Sequence, residues 1–247
     1  MKTLVLIAAL LMMVGCAPDT TTTPDGGYIL QFVDSLKASS DDFGISIAIV
    51  VDVSGSMNDS PQSGGARKYQ QAARALQSIY TYLEGMSKPP KSTNIRVAVF
   101  KFSNEVVPIL PLTTLNADGL VKFQNAIVAK NFTPDGGTAI GSAIETASKT
   151  LISSGTTFNS IIVMTDGESN DGPDAFAVEK ALFSDSNTAK VKTSSQLLNF
   201  VGFDVQSSEF ATFKSLGANV MAAGDQAELE KSFKSILDLD FSKMESK

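Results

Sequence analysis

From residue 45 onward, short apolar runs alternate with stripes of apolar residues at helical spacing. Ile45–Val53 (ISIAIVVDV) is almost continuously apolar and rich in β-branched side chains. That pattern predicts a strand buried on both faces, as in the centre of a parallel sheet. Tyr69, Ala72, Ala73, Leu76, Ile79, Tyr80, Leu83 and Met86 then recur at helical spacing, and Pro89-Pro90 closes the segment. Ile95–Phe102 predicts a second strand. Val106–Leu110 follows across only Ser103-Asn104-Glu105, too short for a crossover, so it predicts an antiparallel return at a sheet edge, where Pro108 is tolerated. Leu120–Val128 predicts a helix, Asn131–Gly137 a loop, and Ile140, Ala143, Ile144, Ala147 and Leu151 a further helical face. A strand over Asn159–Thr165 and a helix over Asp174–Phe183 come next, while polar Ser184–Ser195 carries no pattern that places it. Leu197–Phe203 and Asn219–Ala223 predict strands on either side of a short helix, Ser208–Leu216, stopped by Gly217. Asp225 caps a final helix with Leu229, Phe233, Ile236 and Leu237 facing inward. Strands alternating with helices imply an α/β fold: one doubly wound, mostly parallel open sheet with helices on both faces and one antiparallel edge strand. Ligands of such sheets bind beyond the carboxyl ends of the strands, where strand order reverses, which points to residues just past Val51 and Met164.

The first 44 residues follow a different pattern. Leu4–Val14 is an apolar run of eleven residues behind Lys2. Roughly 20 residues are needed to span a bilayer as a helix, so the run fits a signal-peptide core. It ends at Met13-Val14-Gly15-Cys16, which resembles the lipobox of bacterial lipoproteins, with Met13 standing where Leu is usual. That resemblance implies cleavage before Cys16 and acylation of its thiol and new amine; the alternative is a plain secretory signal in which Cys16 is incidental. Ala17 after the cysteine, read by the enterobacterial sorting pattern, implies the outer membrane of a bacterial cell envelope. The resulting division is a signal peptide over 1–15, a lipidated Cys16 with a Thr/Pro/Asp/Gly tether over 16–27, a segment over 28–44 that packs on the domain, and the domain itself over 45–241. In the 28–44 segment, Ile29, Phe32, Val33 and Leu36 share one helical face.

Composition narrows the chemistry. The 247 residues are 43% hydrophobic and 19% charged, with a net charge of −6, so a duplex nucleic-acid binder relying on a basic face is not expected. There is no histidine, and Cys16 is the only cysteine. Imidazole general bases, His-containing zinc sites and disulfides within the chain are thereby excluded.

Polar groups concentrate at the ends of two of the strands. Strand one runs out through Asp52-Val53-Ser54-Gly55-Ser56, and alternation places residues 52, 54 and 56 on a common side. Met164-Thr165-Asp166-Gly167-Glu168 brings a second carboxylate to the same edge, and Asp135-Gly136-Gly137-Thr138, read as opening a helix, offers a third hydroxyl. Asp52, Ser54, Ser56, Thr138 and Asp166 together supply hard oxygen donors without nitrogen or sulfur, the chemistry of Mg²⁺ or Mn²⁺. With the hydroxyls binding directly and one carboxylate acting through water, the ion's charge stays under-neutralised and invites an external anion. Glu168, Asp135 and Asp171 read as solvated loop acids, and Asn58–Gly65 (NDSPQSGG) as a long stretch bordering the site.

The set D-x-S-x-S, then Thr, then Asp within T-D-G resembles the metal-ion-dependent adhesion site of the von Willebrand factor type A family. Asp52, Ser54, Ser56, Thr138 and Asp166 match its positions, within VDVSGSM, GGTAIGSAI and IIVMTDGES. The resemblance covers about Ile45 to Asp240 and implies a Rossmann-like fold. It further implies a non-enzymatic, lipid-anchored module that binds a protein partner through a metal-bridged Asp or Glu carboxylate, in adhesion or envelope complex assembly. Two alternatives stand beside this expectation: a metal-assisted hydrolase, and a scaffold whose metal only staples its loops.

Overall fold

The computed structural model describes residues 42–91, 93–167, 169–183 and 195–246. The signal segment, Cys16, the tether and the helical face of Ile29 to Leu36 lie outside the described residues. Six strands, β1 (Asp42–Asp52), β2 (Ile95–Phe102), β3 (Val106–Thr114), β4 (Thr156–Thr165), β5 (Ser195–Phe203) and β6 (Asn219–Ala223), form one sheet in the order β3-β2-β1-β4-β5-β6. Every pairing is parallel except the β2–β3 edge pair. From β1 the chain moves outward to β2 and β3, then crosses back to β4 on the other side of β1. Strand order therefore reverses between β1 and β4, where Val51 stands opposite Met164.

Alternation along β1 builds two cores. Ile45, Ile47, Ile49 and Val51 pack with Leu76, Leu83, Phe123, Phe233 and Ile236, carried by α1 (Lys68–Ser87), α2 (Ala117–Ala126) and α6 (Gln226–Glu245). Ala48 and Val50 point the other way, toward Ile144, Leu151, Val178 and Leu182 of α3 (Ile140–Ile152) and α4 (Ala175–Leu182). Each large side chain so enclosed contributes about 1.5–3 kcal/mol. α5 (Ala211–Leu216) closes with Gly217 at φ 113°, a left-handed cap that suits glycine.

The element boundaries differ from expectation at several ends, and one of these lies where polar residues are buried. β4 starts at Thr156 because Thr156, Ser46 and Asn159 satisfy one another: the Thr156 hydroxyl lies 2.9 Å from Ser46 Oγ and 3.2 Å from Asn159 Oδ1. β1 begins at Asp42, three residues early, and Phe43 sets its ring edge-on to Phe158 at 6.3 Å. β3 continues to Thr114, and α2 begins at Ala117, capped by Asn116 Oδ1 accepting from Gly119 N–H. Among the described residues no helix is long and apolar enough to cross a membrane.

Candidate metal centre

β1 ends at Asp52 and the chain turns at once. Val53 N–H donates to Phe102 O (2.8 Å) and Ser54 N–H bends back onto Asp52 Oδ1 (2.7 Å). Gly55–Asn58 is a turn of 3-10 helix, so strand alternation does not carry through to residue 56. The turn nevertheless brings Ser56 Oγ to 3.1 Å from Ser54 Oγ. Ser56 Oγ also donates to Asp166 Oδ1 at the end of β4 (2.8 Å), and Thr165 Oγ1 donates to Asp52 Oδ2 (2.5 Å). Asp52, Ser54, Ser56 and Asp166 thus share one continuous network across the switch point.

Thr138 arrives on the intervening loop. Asp135 N–H donates to Val53 O (2.6 Å), Gly55 N–H to Gly136 O (3.0 Å), and Asn170 N–H to Thr138 O (3.0 Å). These bonds pin the Thr138 backbone between the loops that follow β1 and β4. The helix read as opening at Asp135 to Thr138 begins instead at Ile140. Side chains hold the preceding turn in place: Gly137 N–H donates to Asn104 Oδ1 (2.9 Å) and Thr138 N–H to Asn170 Oδ1 (2.8 Å). Asn104 is itself held by Asp171, whose Oδ2 accepts from Asn104 Nδ2 (2.5 Å). Gly136 sits at φ 79°, and a Cβ there would lie 2.1 Å from Asn104 Oδ1. Gly136→Ala is expected to lower stability by about 1–3 kcal/mol through backbone strain and displacement of Asn104. Urea denaturation checks this, and a variant indistinguishable from the native protein would contradict it.

The carboxylates sit in very different surroundings. Asp52 is fully buried, and that burial pushes its carboxyl up to about 6. Its hydrogen bonds from Thr165 and Ser54 pull the other way, and neighbouring Asp166 adds to the rise. The Asp166 side chain is also fully enclosed, but its Oδ2 is 2.9 Å from Lys68 Nζ, whose second partner is Asp204 Oδ2 at 3.2 Å. Burial works against the Lys68 charge, yet the two carboxylates outweigh it and hold the ammonium above its usual range.

Lys68, Thr165, Asn104, Asn170 and Asp204 are the site residues that motif reading missed. Lys68 leaves a trace in the sequence: it shares helical phase with Ala72, Ala75 and Ile79, placing a cation on the apolar face of α1. Glu168 lies outside the described residues. The Asn58–Gly65 stretch, noted as bordering the site, crosses to the ends of β5 and β6, where Gln62 N–H donates to Asp204 Oδ1 (3.0 Å) and Ser63 Oγ to Gly224 O (2.6 Å).

Among the described residues no group of three or more His, Cys, Asp or Glu gathers anywhere, so carboxylates alone make no metal cage. The two carboxylates joined to the Ser54 and Ser56 hydroxyls form a donor set of hard oxygens only, and backbone bonds hold Thr138 on the adjoining loop. Such a set fits a small divalent cation.

The sequence profile of the von Willebrand factor type A domain matches residues 46–225. The chain belongs to this family. Solved structures with the same fold include the PilB minor pilin from Streptococcus sanguinis, with TM-score 0.59 at 18% identity over 80% of this chain and 61% of the pilin. The chain therefore spans 61% of that pilin's length. BatB from Bacteroides thetaiotaomicron superposes with TM-score 0.58 at 18% identity, over 83% of this chain and all of that one. The vWF domain of the type V pili tip protein Mfa5 from Porphyromonas gingivalis gives 0.59 at 13% identity, over 82% and 97%. At these identities the likeness speaks to the fold of this von Willebrand factor type A domain. No curated protein sequence matches the chain significantly.

Proposed function

We propose that this domain is a binding module that captures a protein partner through a divalent ion, Mg²⁺ or Mn²⁺, held by Asp52, Ser54, Ser56, Thr138 and Asp166. The observation that carries the reading is the joining of Asp52, Ser54, Ser56 and Asp166 in one network at the switch point. A bound ion would supply Lewis acidity toward an anionic oxygen. With the three hydroxyls as direct neutral donors and one of the two carboxylates acting only through water, the ion's charge would stay under-neutralised and would favour an Asp or Glu side chain offered by the partner. The same reading places the module in a bacterial envelope, attached through lipid on Cys16 and, from Ala17, at the outer membrane. The pilus proteins among its structural relatives are in keeping with a role in adhesion or complex assembly.

Binding is favoured over hydrolysis because, among the described residues, neither Asp52 nor Asp166 is free to act as a general base. The sequence has no histidine. Both oxygens of Asp52 and both of Asp166 already accept hydrogen bonds or an ion pair. An activated water would need a carboxylate or imidazole free to take its proton.

The test is capture from envelope extract in Mg²⁺ and in EDTA, using the intact protein and Thr138→Ala. Expected is a partner retained only with Mg²⁺ and lost in Thr138→Ala, with an unchanged far-UV circular dichroism spectrum. Capture that persists in EDTA, or in a folded Thr138→Ala variant, would falsify the metal bridge and favour a scaffold bound through other surfaces.

A further inference from the structure

Lys68 is the first residue of α1, where a cation opposes the helix dipole. It is also among the few buried charged residues, with its side chain only 10% exposed. Two carboxylates hold it in this unfavourable position. Nζ lies 2.9 Å from Asp166 Oδ2, on an enclosed side chain, and 3.2 Å from Asp204 Oδ2, 10% exposed. Asp204 is itself fixed: its Oδ1 accepts from Gln62 N–H (3.0 Å), its N–H donates to Ala223 O (2.7 Å), and its backbone sits at φ 60°. The ammonium, carried on α1, is thus anchored from the ends of β4 and β5, and it occupies one oxygen of Asp166. The other oxygen, Oδ1, faces the Ser56 hydroxyl.

We infer that Lys68 is a specificity-setting positioning residue: by engaging Asp166 Oδ2 it restricts Asp166 to a single donor oxygen and so selects Mg²⁺ over Ca²⁺. This inference rests on the divalent-ion site proposed above. The physical reason is coordination number. Ca²⁺ takes six to eight oxygens and readily uses carboxylates through both, whereas Mg²⁺ demands six in near-ideal octahedral array. A carboxylate with one oxygen tied to an ammonium serves the smaller ion without loss and denies the larger one a bidentate ligand.

Lys68→Met frees Asp166 Oδ2. Removing the positive charge strengthens binding of both ions, so the informative quantity is the ratio of the two dissociation constants, measured by calorimetry on the domain without its lipid anchor and on the full chain. The Mg²⁺ preference is expected to fall by about tenfold or more, the scale of outer-shell effects at metal sites, with Ca²⁺ gaining most. Equal gains for both ions, leaving the ratio unchanged, overturn the inference while leaving the proposed site intact. Failure of the native protein to bind either ion overturns both. Asp204→Asn leaves Asp166 as the carboxylate partner of the Lys68 ammonium, and so is expected to keep or raise the Mg²⁺ preference. Should Lys68→Met fail to fold, a Mg²⁺ preference that falls in Asp204→Asn overturns the inference.

Discussion

Glu179→Gln is expected to abolish about 4 kcal/mol of stability loss that the metal-free protein suffers between pH 5 and pH 8. Glu179 lies on α4, fully buried, and neither carboxylate oxygen makes a hydrogen bond to the described residues. Burial pushes its carboxyl up to about 8, with the nearby backbone of Ala218 relieving only part of the rise. The group is therefore neutral in the folded protein at pH 7 and ionised in the unfolded chain. A raised folded pKa gives stability that is fully present below the unfolded value of 4.5 and lost as pH rises through about 8. Each pH unit in that window costs about 1.4 kcal/mol. Gln keeps the shape and cannot ionise, so its urea-denaturation free energies should be nearly flat from pH 6.5 to 8, where the native protein still declines. Asp240 of α6, pushed up to about 6 by burial against the pull of its hydrogen bonds from Ser160 and Asn199, and Asp52, also raised to about 6, add to the slope mainly at lower pH and are common to both proteins. Parallel profiles for native and variant would mean that Glu179 is ionised and satisfied in solution.

The contrast between Glu179 and Ile144 shows what a sequence discloses. Apolar periodicity reported Ile144, and with it α3, because burial of a methyl-rich face needs only the right spacing. The sheet order followed in the same way from the buried run of β1 and the tight Ser103-Asn104-Glu105 connection. Polar residues that are buried in mutual satisfaction, such as Thr156 with Ser46 and Asn159, look like loop and hid the start of β4. At the site, the strand ends at Asp52 and Asp166 could be placed from the apolar runs that precede them, and the structure joins both to Ser54 and Ser56. Their supports could not, beyond the trace Lys68 leaves in helical phase, because Asn104, Asn170, Asp204 and Lys68 come from separate elements and meet only once the chain has folded. The 3-10 turn at Gly55 also could not be inferred from alternation, although it is what folds Ser56 back to Ser54 and Asp166.

Asp52→Asn should make the ion-free protein more stable at pH 7, by about 3 kcal/mol, while removing its response to Mg²⁺. The folded carboxyl is raised to about 6 from 3.8, chiefly by burial. Its contribution is therefore present below 3.8 and lost as pH rises through about 6, so at pH 7 the fold carries the full cost of an ionised, desolvated group. Asn retains an oxygen for Ser54 N–H, and its amide can donate to the Thr165 hydroxyl, which in turn donates to Gly167 O (3.1 Å). The loop geometry thus has a neutral substitute for every bond Asp52 makes. A cation in the site offsets the same cost in the native protein: at a concentration of 100 times its dissociation constant, binding adds about 2.7 kcal/mol. Thermal or urea melts of both proteins in EDTA and in Mg²⁺ separate the two roles. Greater stability in EDTA with no gain from Mg²⁺ identifies Asp52 as a group whose charge serves the ion and burdens the fold. A loss of stability in EDTA would instead assign its charge to holding the Ser54 turn against Thr165, and the case for a metal centre would then rest on Asp166 and the hydroxyls alone.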